Sequence, residues 1–202
     1  MTADRRPTVY YIRHGETDWN ATGRLQGRHD VPLNARGREQ ALHCGALLRD
    51  LFAREGRQAS DFDYVSSPLG RARQTLELAR EALGLPPQGY ATDERLAEIA
   101  FGDWEGCTLA QLQTRDPQRL AAREHDKFRF MPPNGESYEM VMQRMGAWYD
   151  GLTRDTVAAA HGGTARGLIA HLGLAHKNAA PLVDIAQGVV YVLSPGKMTR
   201  YA

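Results

Sequence analysis

The chain has 202 residues, of which 42% are hydrophobic and 24% charged, which suits one substantial core better than two. It has 25 Lys and Arg residues against 24 Asp and Glu residues, so its formal charge of +1 provides no bulk attraction for nucleic acid or an anionic membrane. We therefore expect a single domain over residues 1–202, with no nucleic-acid or membrane partner, that binds any anion through a local cluster of cations.

The cysteine pattern and the N-terminal segment indicate the cellular compartment of the protein. Cys44 and Cys107 lack the spacing of a disulfide framework or of a structural metal site. The N-terminal apolar run is short and ends in Arg-His, which is typical of neither a signal peptide nor a membrane span. We therefore expect a cytoplasmic protein.

Four short apolar runs predict β-strands, in chain order at Thr8 to Ile12, Phe62 to Val65, Thr156 to Ala160 and Val189 to Leu193. Polar or glycine residues follow each of the first three runs and open a helical pattern. Strands that alternate with helices favour a layered α/β fold with a mainly parallel sheet.

Helix signals lie between these strands. Asn34 is a candidate N-cap, a second helical pattern covers Leu69 to Leu83, and a third begins near Glu136. The stretch from 102 to 133 is less regular and contains Pro117. We interpret this stretch as an irregular insertion over one end of the sheet.

Residues that could take part in catalysis or anion binding follow three of the predicted strands. Arg13-His14-Gly15 ends the first run, Ser66-Ser67-Pro68 ends the second shortly before Arg71, and His161-Gly162-Gly163 ends the third. In open α/β sheets, ligands bind outside the carboxyl ends of the strands, where helix N-termini also converge. The sequence therefore predicts one crevice that contains two histidines and two arginines.

This combination of side chains suits phosphoryl transfer. Arg presents a planar fork of donors that matches phosphate oxygens, and imidazole is partly neutral, and so nucleophilic, near pH 7. Because the transferred group spreads charge over its equatorial oxygens, a cationic pocket stabilises the transition state without a metal. We expect neither a metal nor a cofactor.

The segment from Arg13 to Asn20, RHGETDWN, resembles the signature of the histidine phosphatase superfamily, which is phosphoglycerate-mutase-like. The resemblance implies a three-layer α/β/α fold with a mainly parallel central sheet. It continues over most of the chain, because further motifs follow in the order of the family: residues 23–27 (GRLQG), 32–33 (PL), 67–72 (SPLGRA), 74–75 (QT), 96–99 (LAEI), 101–106 (FGDWEG), 135–137 (GES) and 161–163 (HGG).

The resemblance also implies a role for each catalytic residue. His14 would be the nucleophile that forms a phosphohistidine. Arg13, Arg71 and His161 would bind the phosphoryl oxygens. Glu98 would protonate the leaving oxygen and then activate the water that hydrolyses the intermediate.

Four further positions match residues that line the phosphate pocket in the family. They are Asn20, Gln26, Gly27 and Gly162, the last through its backbone N–H. The expected partner is a small phosphorylated metabolite.

The matched residues are compatible with three functions. The first is a phosphatase, and the second is a phosphoglycerate mutase, which returns the phosphoryl group to the bound substrate. Mutases typically continue after the acid with Arg-His-Tyr and carry paired Arg residues in a longer lid. Here Ile99-Ala100-Phe101 follows Glu98 and no adjacent Arg pair occurs between Phe101 and Pro133, which favours the phosphatase.

The third function is a non-catalytic phosphoester-binding module. Such relatives generally lose the nucleophile or a phosphate-binding residue, whereas all members of the catalytic set are present here. The substrate and the oligomeric state stay open, with a homodimer as one expectation. The insertion contains five basic residues, which could either form a solvated face or contact a second anionic group of the substrate. We favour the solvated face for these residues, which are Arg115, Arg119, Arg123, Lys127 and Arg129.

Overall fold

The computed structural model describes residues 6–202, and in this part of the chain one sheet has six strands. They are β1 (Val9–Arg13), β2 (Asp63–Ser66), β3 (Ala91–Thr92), β4 (Thr156–Ala160), β5 (Val190–Ser194) and β6 (Lys197–Tyr201). The strand order is β3-β2-β4-β1-β5-β6; the first four strands in this order are parallel, and β5 and β6 are antiparallel to their neighbours. The predicted mainly parallel α/β sheet is confirmed.

Helices cover both faces of this sheet. They are α1 (Asp18–Ala21), α2 (Ala35–Arg54), α3 (Gly70–Ala82), α4 (Leu109–Arg115), α5 (Pro117–His125), α6 (Tyr138–Asp150) and α7 (Gly162–His171), with single 3₁₀ turns at Ala59–Asp61, Glu94–Leu96, Gly102–Trp104 and Ala180–Leu182. Within residues 6–202, none of the helices combines the length and the apolar character needed to cross a bilayer.

The central strand β1 shows how the three layers form. Its side chains alternate between the two faces, and all four of its apolar residues are buried. Val9 and Tyr11 pack in one cluster with residues of α6 and α7. Tyr10 and Ile12 pack in a second cluster with residues of α2 and α3. The strand is therefore buried on both faces, as expected for a parallel sheet between helix layers.

The predicted helix starts hold to within a residue or two. The Asn34 side chain accepts a hydrogen bond from the Gly37 N–H at 2.9 Å and caps α2. Helix α3 begins at Gly70, one residue after the predicted start. Ser137 caps α6, because its Oγ accepts from the Met140 N–H at 3.3 Å.

The expectation of irregular structure between 102 and 133 is wrong for two short segments, which form α4 and α5. Thr108 opens α4 through a reciprocal capping box with Gln111. Pro117 occupies the first turn of α5, where its fixed φ and missing N–H fit a helix start. The proline taken as a sign of irregular structure therefore begins a helix.

The start of α2 presses against the loop after β1. A Cβ on Gly15 would overlap the carbonyl oxygen of Gly37, and a Cβ on Gly37 would overlap the carbonyl oxygen of Glu16. Only glycine permits this close approach of two backbones. Packing against α2 therefore fixes the residue that follows His14.

Candidate active site

A cavity of about 150 Å³ lies at the carboxyl ends of β1 and β4 and at the N-terminal ends of α3 and α7. The sequence-predicted site residues that line it are Arg13, His14, Asn20, Gln26, Gly27, Arg71, Glu98 and Gly162. The remaining one, His161, packs beside the nucleophile candidate, with 5.1 Å between the centroids of the His14 and His161 rings. The fold therefore brings the whole predicted set together.

His14 is the first residue after β1 and is buried. Its N–H donates to the Ala160 carbonyl at 2.8 Å, so the parallel pairing of β1 and β4 continues one residue further. Its Nδ1 lies 2.8 Å from the Gly15 carbonyl oxygen. A carbonyl only accepts, so Nδ1 carries the proton and Nε2 carries the lone pair, which faces Arg71 Nε at 3.3 Å.

The surroundings of His14 disfavour a charged imidazole. Burial, and then the nearby guanidinium groups of Arg71 and Arg13, hold the pKa of His14 well below its usual value. The ring is therefore neutral at physiological pH. A neutral imidazole whose Nε2 carries a lone pair and no proton is the nucleophilic form.

His161 precedes α7 and is fully buried. Its Nε2 shares a hydrogen bond of 2.7 Å with Ser67 Oγ, which fixes the orientation of the ring. Burial, followed by the positive charge of Arg71, holds the pKa of His161 well below its usual value. The pocket therefore contains two neutral imidazoles beside two guanidinium groups.

Arg71 stands in the first turn of α3 and joins several parts of the site. Its Nη2 donates to the Gly27 carbonyl at 2.8 Å, and its Nη1 donates to the His29 carbonyl. In the next turn, Thr75 Oγ1 accepts from the Gly15 N–H at 3.0 Å. Helix α3 therefore positions both the nucleophile loop and the loop around Gly27.

Buried side-chain nitrogen and oxygen atoms without a hydrogen-bond partner concentrate at this site. Within residues 6–202 they are Arg13 Nε, Gln26 Oε1 and His161 Nδ1, and all three belong to predicted site residues. Buried polar groups in native proteins are almost always paired. The site therefore has hydrogen-bonding capacity that the protein itself does not use.

The N-terminus of α7 positions Glu98. Oε1 of Glu98 accepts hydrogen bonds from the Gly163 N–H at 3.0 Å and from the Ile99 N–H at 2.8 Å. The loop that carries it is held by Glu136, whose Oε2 accepts from the Ala100 N–H at 2.9 Å. The carboxyl group thus lies beside Gly162, whose N–H stands at the first position of the same helix.

Several site residues were not predicted from the sequence. Ser67 and Thr75 belong to the matched motifs, but their contacts with His161 and with the Gly15 N–H are tertiary. Gln187 donates from Nε2 to the His14 carbonyl at 3.1 Å and to Asn20 Oδ1 at 3.0 Å, and no pattern marks it. Arg166 lines the cavity, and its position four residues after Gly162 on one helix face could have indicated it.

Other basic residues are placed as follows. Arg24, a residue of the matched segment 23–27, lines the cavity and donates from Nη1 to the Gly106 carbonyl at 2.7 Å. None of the five basic residues of the 102–133 segment lines the cavity itself. Among the described residues, His, Cys, Asp and Glu side chains form no group of three or more that could hold a metal ion.

Comparison with known protein families shows the family to which this chain belongs. The family model of the histidine phosphatase superfamily (branch 1) matches residues 9–200. The chain belongs to the histidine phosphatase superfamily. It is 36% identical over 137 residues to 6-phosphofructo-2-kinase/fructose-2,6-bisphosphatase from Gallus gallus, an alignment that covers 68% of this chain and 26% of that protein. The chain therefore aligns with about a quarter of the length of this curated relative.

Solved structures of the superfamily include similar phosphatases. The α-ribazole phosphatase from Shigella flexneri has a TM-score of 0.75 and 28% identity, with coverage of 93% of this chain and 90% of that one. The mycobacterial glucosyl-3-phosphoglycerate phosphatase, solved with VO3, has a TM-score of 0.75 and 31% identity, with coverage of 94% and 91%. The structural neighbours of this superfamily member are thus phosphatases of small metabolites.

The Ser67–His161 hydrogen bond generates a mutational prediction. Ser67→Ala should lower kcat/KM about tenfold, because one hydrogen bond that orients His161 is lost. Ser66→Ala is the matched control, since among the described residues the buried Ser66 hydroxyl hydrogen-bonds to the backbone carbonyls of Ser67 and Ala159 and to no side chain. Steady-state phosphatase assays check this. Equal losses in both variants would contradict an orienting role for Ser67.

The two depressed histidine pKa values predict a pH dependence of stability. Below pH 6.5 the unfolded chain takes up protons at His14 and His161 that the folded chain does not bind. The free energy of unfolding should therefore fall between pH 7 and pH 5, by up to about 1.4 kcal/mol per pH unit for each histidine. Urea titrations at several pH values measure it. His14→Gln should flatten this dependence, and an unchanged slope would contradict the assignment.

Proposed function

We propose that this superfamily member is a metal-independent phosphatase that hydrolyses a small phosphorylated metabolite through a phosphohistidine at His14. The observation that carries the proposal is the buried His14 Nε2 lone pair beside the guanidinium groups of Arg13 and Arg71. The unused Arg13 Nε–H suits a phosphoryl oxygen as its partner, as does His161 Nδ1 when it carries the ring proton.

The first half-reaction transfers the phosphoryl group to the protein. Nε2 of His14 attacks phosphorus, the bond from phosphorus to the leaving oxygen breaks, and Glu98 gives that oxygen a proton. Arg13 and Arg71 stabilise the charge on the equatorial oxygens. The hydrogen bond from Nδ1 to Gly15 keeps the ring oriented while the imidazole gains positive charge.

The second half-reaction returns the protein to its starting state. A water molecule attacks the phosphohistidine, its proton passes to Glu98, and the bond between phosphorus and Nε2 breaks to release inorganic phosphate. One carboxyl group therefore serves as acid and then as base. Its position against the Gly163 N–H holds it beside the cavity for both steps.

Properties of similar proteins support this substrate class. By their names, the α-ribazole phosphatase and the glucosyl-3-phosphoglycerate phosphatase remove phosphate from small metabolites. The fructose-2,6-bisphosphatase relatives are named for the same kind of reaction. We extend the reaction class, and no individual substrate, to this protein.

The nucleophile assignment predicts the behaviour of His14→Ala. With an aryl phosphate and a chelator present, its turnover should fall by at least about 10³-fold, because the nucleophile that accepts the phosphoryl group is lost. Acid-labile phosphate, trapped by rapid quench, should appear in the wild type and be absent from the variant. His43→Ala, an exposed histidine of α2, is the control. Full activity of His14→Ala would overturn the proposal, as would interconversion of phosphoglycerate isomers without release of phosphate.

The role of Glu98 predicts a dependence on the leaving group. Glu98→Gln should slow hydrolysis of alkyl phosphates about 10²-fold or more, because an alkoxide leaves only with a proton. The loss on 4-nitrophenyl phosphate should be much smaller, since its leaving group is already stable. Steady-state kinetics on both substrates check this, with exposed Glu94→Gln as the control. Equal losses on the two substrates would argue against Glu98 as the acid.

A further inference from the structure

Two of the matched motifs take no part in the proposed reaction. They are residues 101–106 (FGDWEG) and 135–137 (GES), which contain Glu105 and Glu136. Both glutamate side chains are largely buried, with exposed fractions of 11% and 14%. A buried carboxylate is costly unless hydrogen bonds and opposite charges compensate it. The partners of these two carboxylates therefore indicate their function.

The backbone that follows the proposed acid donates three successive N–H groups to three carboxylates. Residues 98–101 belong to no helix or strand, so their N–H groups need partners from elsewhere. The first N–H donates to the acid itself. The next two donate to the motif glutamates: Ala100 to Glu136 Oε2 at 2.9 Å, and Phe101 to Glu105 Oε1 at 3.0 Å. Side chains from two other segments therefore hold the backbone beside the acid.

Glu136 connects this backbone to α6. Its own N–H donates to the Ala100 carbonyl at 2.8 Å, and a Cβ on Gly135 would lie 2.6 Å from the same carbonyl oxygen, so a side chain there would force the two backbones apart. The Glu136 carboxylate forms a two-point ion pair with Arg144, with Nε–Oε1 and Nη2–Oε2 distances of 3.1 Å. Arg144 Nη1 also donates to the Arg95 carbonyl. This ion pair therefore holds both ends of the segment that carries the acid.

Glu105 connects the same backbone to the phosphate pocket. Its Oε1 also accepts from the Arg28 N–H at 3.1 Å, and its Oε2 lies 2.7 Å from His29 Nδ1. A Cβ on Gly27 would overlap the Glu105 carboxylate, so this side chain lies directly against a pocket residue. Arg71 donates to the carbonyls of Gly27 and His29. Glu105 therefore links the backbone beside the acid to the loop that Arg71 holds.

Arg28 joins the two carboxylates to each other. Its N–H donates to Glu105, and its Nη2 lies 3.3 Å from Glu136 Oε2. Burial alone would raise the pKa of Glu136, but the guanidinium of Arg144, the Ala100 N–H and Arg28 outweigh it and hold this pKa below its usual value. Glu136 is therefore ionised at neutral pH and accepts from all of these donors.

We propose that Glu136 and Glu105 are positioning residues, which hold the acid Glu98 at a fixed place relative to the phosphate pocket. The acid must reach the leaving oxygen while the pocket holds the phosphoryl group, so its backbone needs a fixed position against that pocket. Neither glutamate is among the residues that line the cavity, so both act through Glu98. The inference rests on the proposed function and adds two residues to it.

The kinetic test uses the leaving group. The measured quantity is the ratio of kcat/KM for 4-nitrophenyl phosphate to kcat/KM for an alkyl phosphate, glycerol 3-phosphate. Glu136→Ala and Glu105→Ala should each raise this ratio about tenfold, because a displaced acid slows mainly the reaction that needs its proton. A purely structural role would slow both reactions alike, so an unchanged ratio would overturn the proposal.

A double-mutant cycle shows whether the effect passes through Glu98. In the Glu98→Gln background, which lacks the acid, Glu136→Ala should change the ratio less than about twofold. A change that stays at about tenfold in this background would overturn the proposal. Glu139→Ala is the matched control and should keep the wild-type ratio, because Glu139 lies in the first turn of α6 and its side chain is 42% exposed.

Glutamine variants keep the test decisive if an alanine variant does not fold. Glu136→Gln and Glu105→Gln retain an oxygen that can accept from the backbone N–H, but they lose the charge that faces Arg144 and Arg28. Each should raise the ratio about threefold, less than the alanine variants. An unchanged ratio in both glutamine variants would overturn the proposal.

Amide hydrogen exchange separates failure of this proposal from failure of the proposed function. The Gly163 and Ile99 N–H groups donate to the Glu98 carboxylate, and Gly163 stands in the first turn of α7, where no intrahelical partner exists. Both should exchange about tenfold faster in Glu136→Ala, and at the wild-type rate in Glu139→Ala. If they do so while the wild type hydrolyses neither substrate, the positioning role stands and the phosphatase proposal fails. If the wild type hydrolyses both substrates but neither the exchange nor the ratio changes, the phosphatase stands and the positioning role fails.

Discussion

The hydrogen bond between His14 Nδ1 and the Gly15 carbonyl is the interaction on which the proposed chemistry depends. It places the proton on Nδ1 and leaves the Nε2 lone pair facing the guanidinium groups. The Gly15 backbone that accepts this bond is held by its close approach to Gly37 at the start of α2. Sheet, loop and the start of α2 together define a single tautomer.

The same site is a destabilising feature of the fold. Two imidazoles and two guanidinium groups are buried close together, and burial lowers the pKa of Arg13, of Arg71 and of both histidines. The hydrophobic clusters on both faces of the sheet offset this cost. A phosphate would compensate the positive charge, so ligand binding should increase the free energy of unfolding.

The sequence predicted those parts of the site that depend on local signals. The strand ends at Arg13 and His161 follow from apolar runs that stop at polar residues, and parallel pairing brings such ends to one edge. Glu98 was placed only by resemblance, because its position depends on the Gly163 N–H of a distant helix. Gln187 was missed for the same reason, because its contacts with His14 and Asn20 are tertiary. In the 102–133 segment, the charged residues and Pro117 led us to expect irregular structure, so the two short helices were not predicted.

The proposed reaction requires that His14 is held as the neutral Nδ1–H tautomer. Nitrogen-15 NMR of the imidazole groups measures this directly, with His14→Gln to assign the signals. At pH 7, we expect a protonated Nδ1 and an unprotonated Nε2 for His14. A proton on Nε2, or a doubly protonated ring at this pH, would contradict it, because neither form offers a lone pair at the position that faces Arg71.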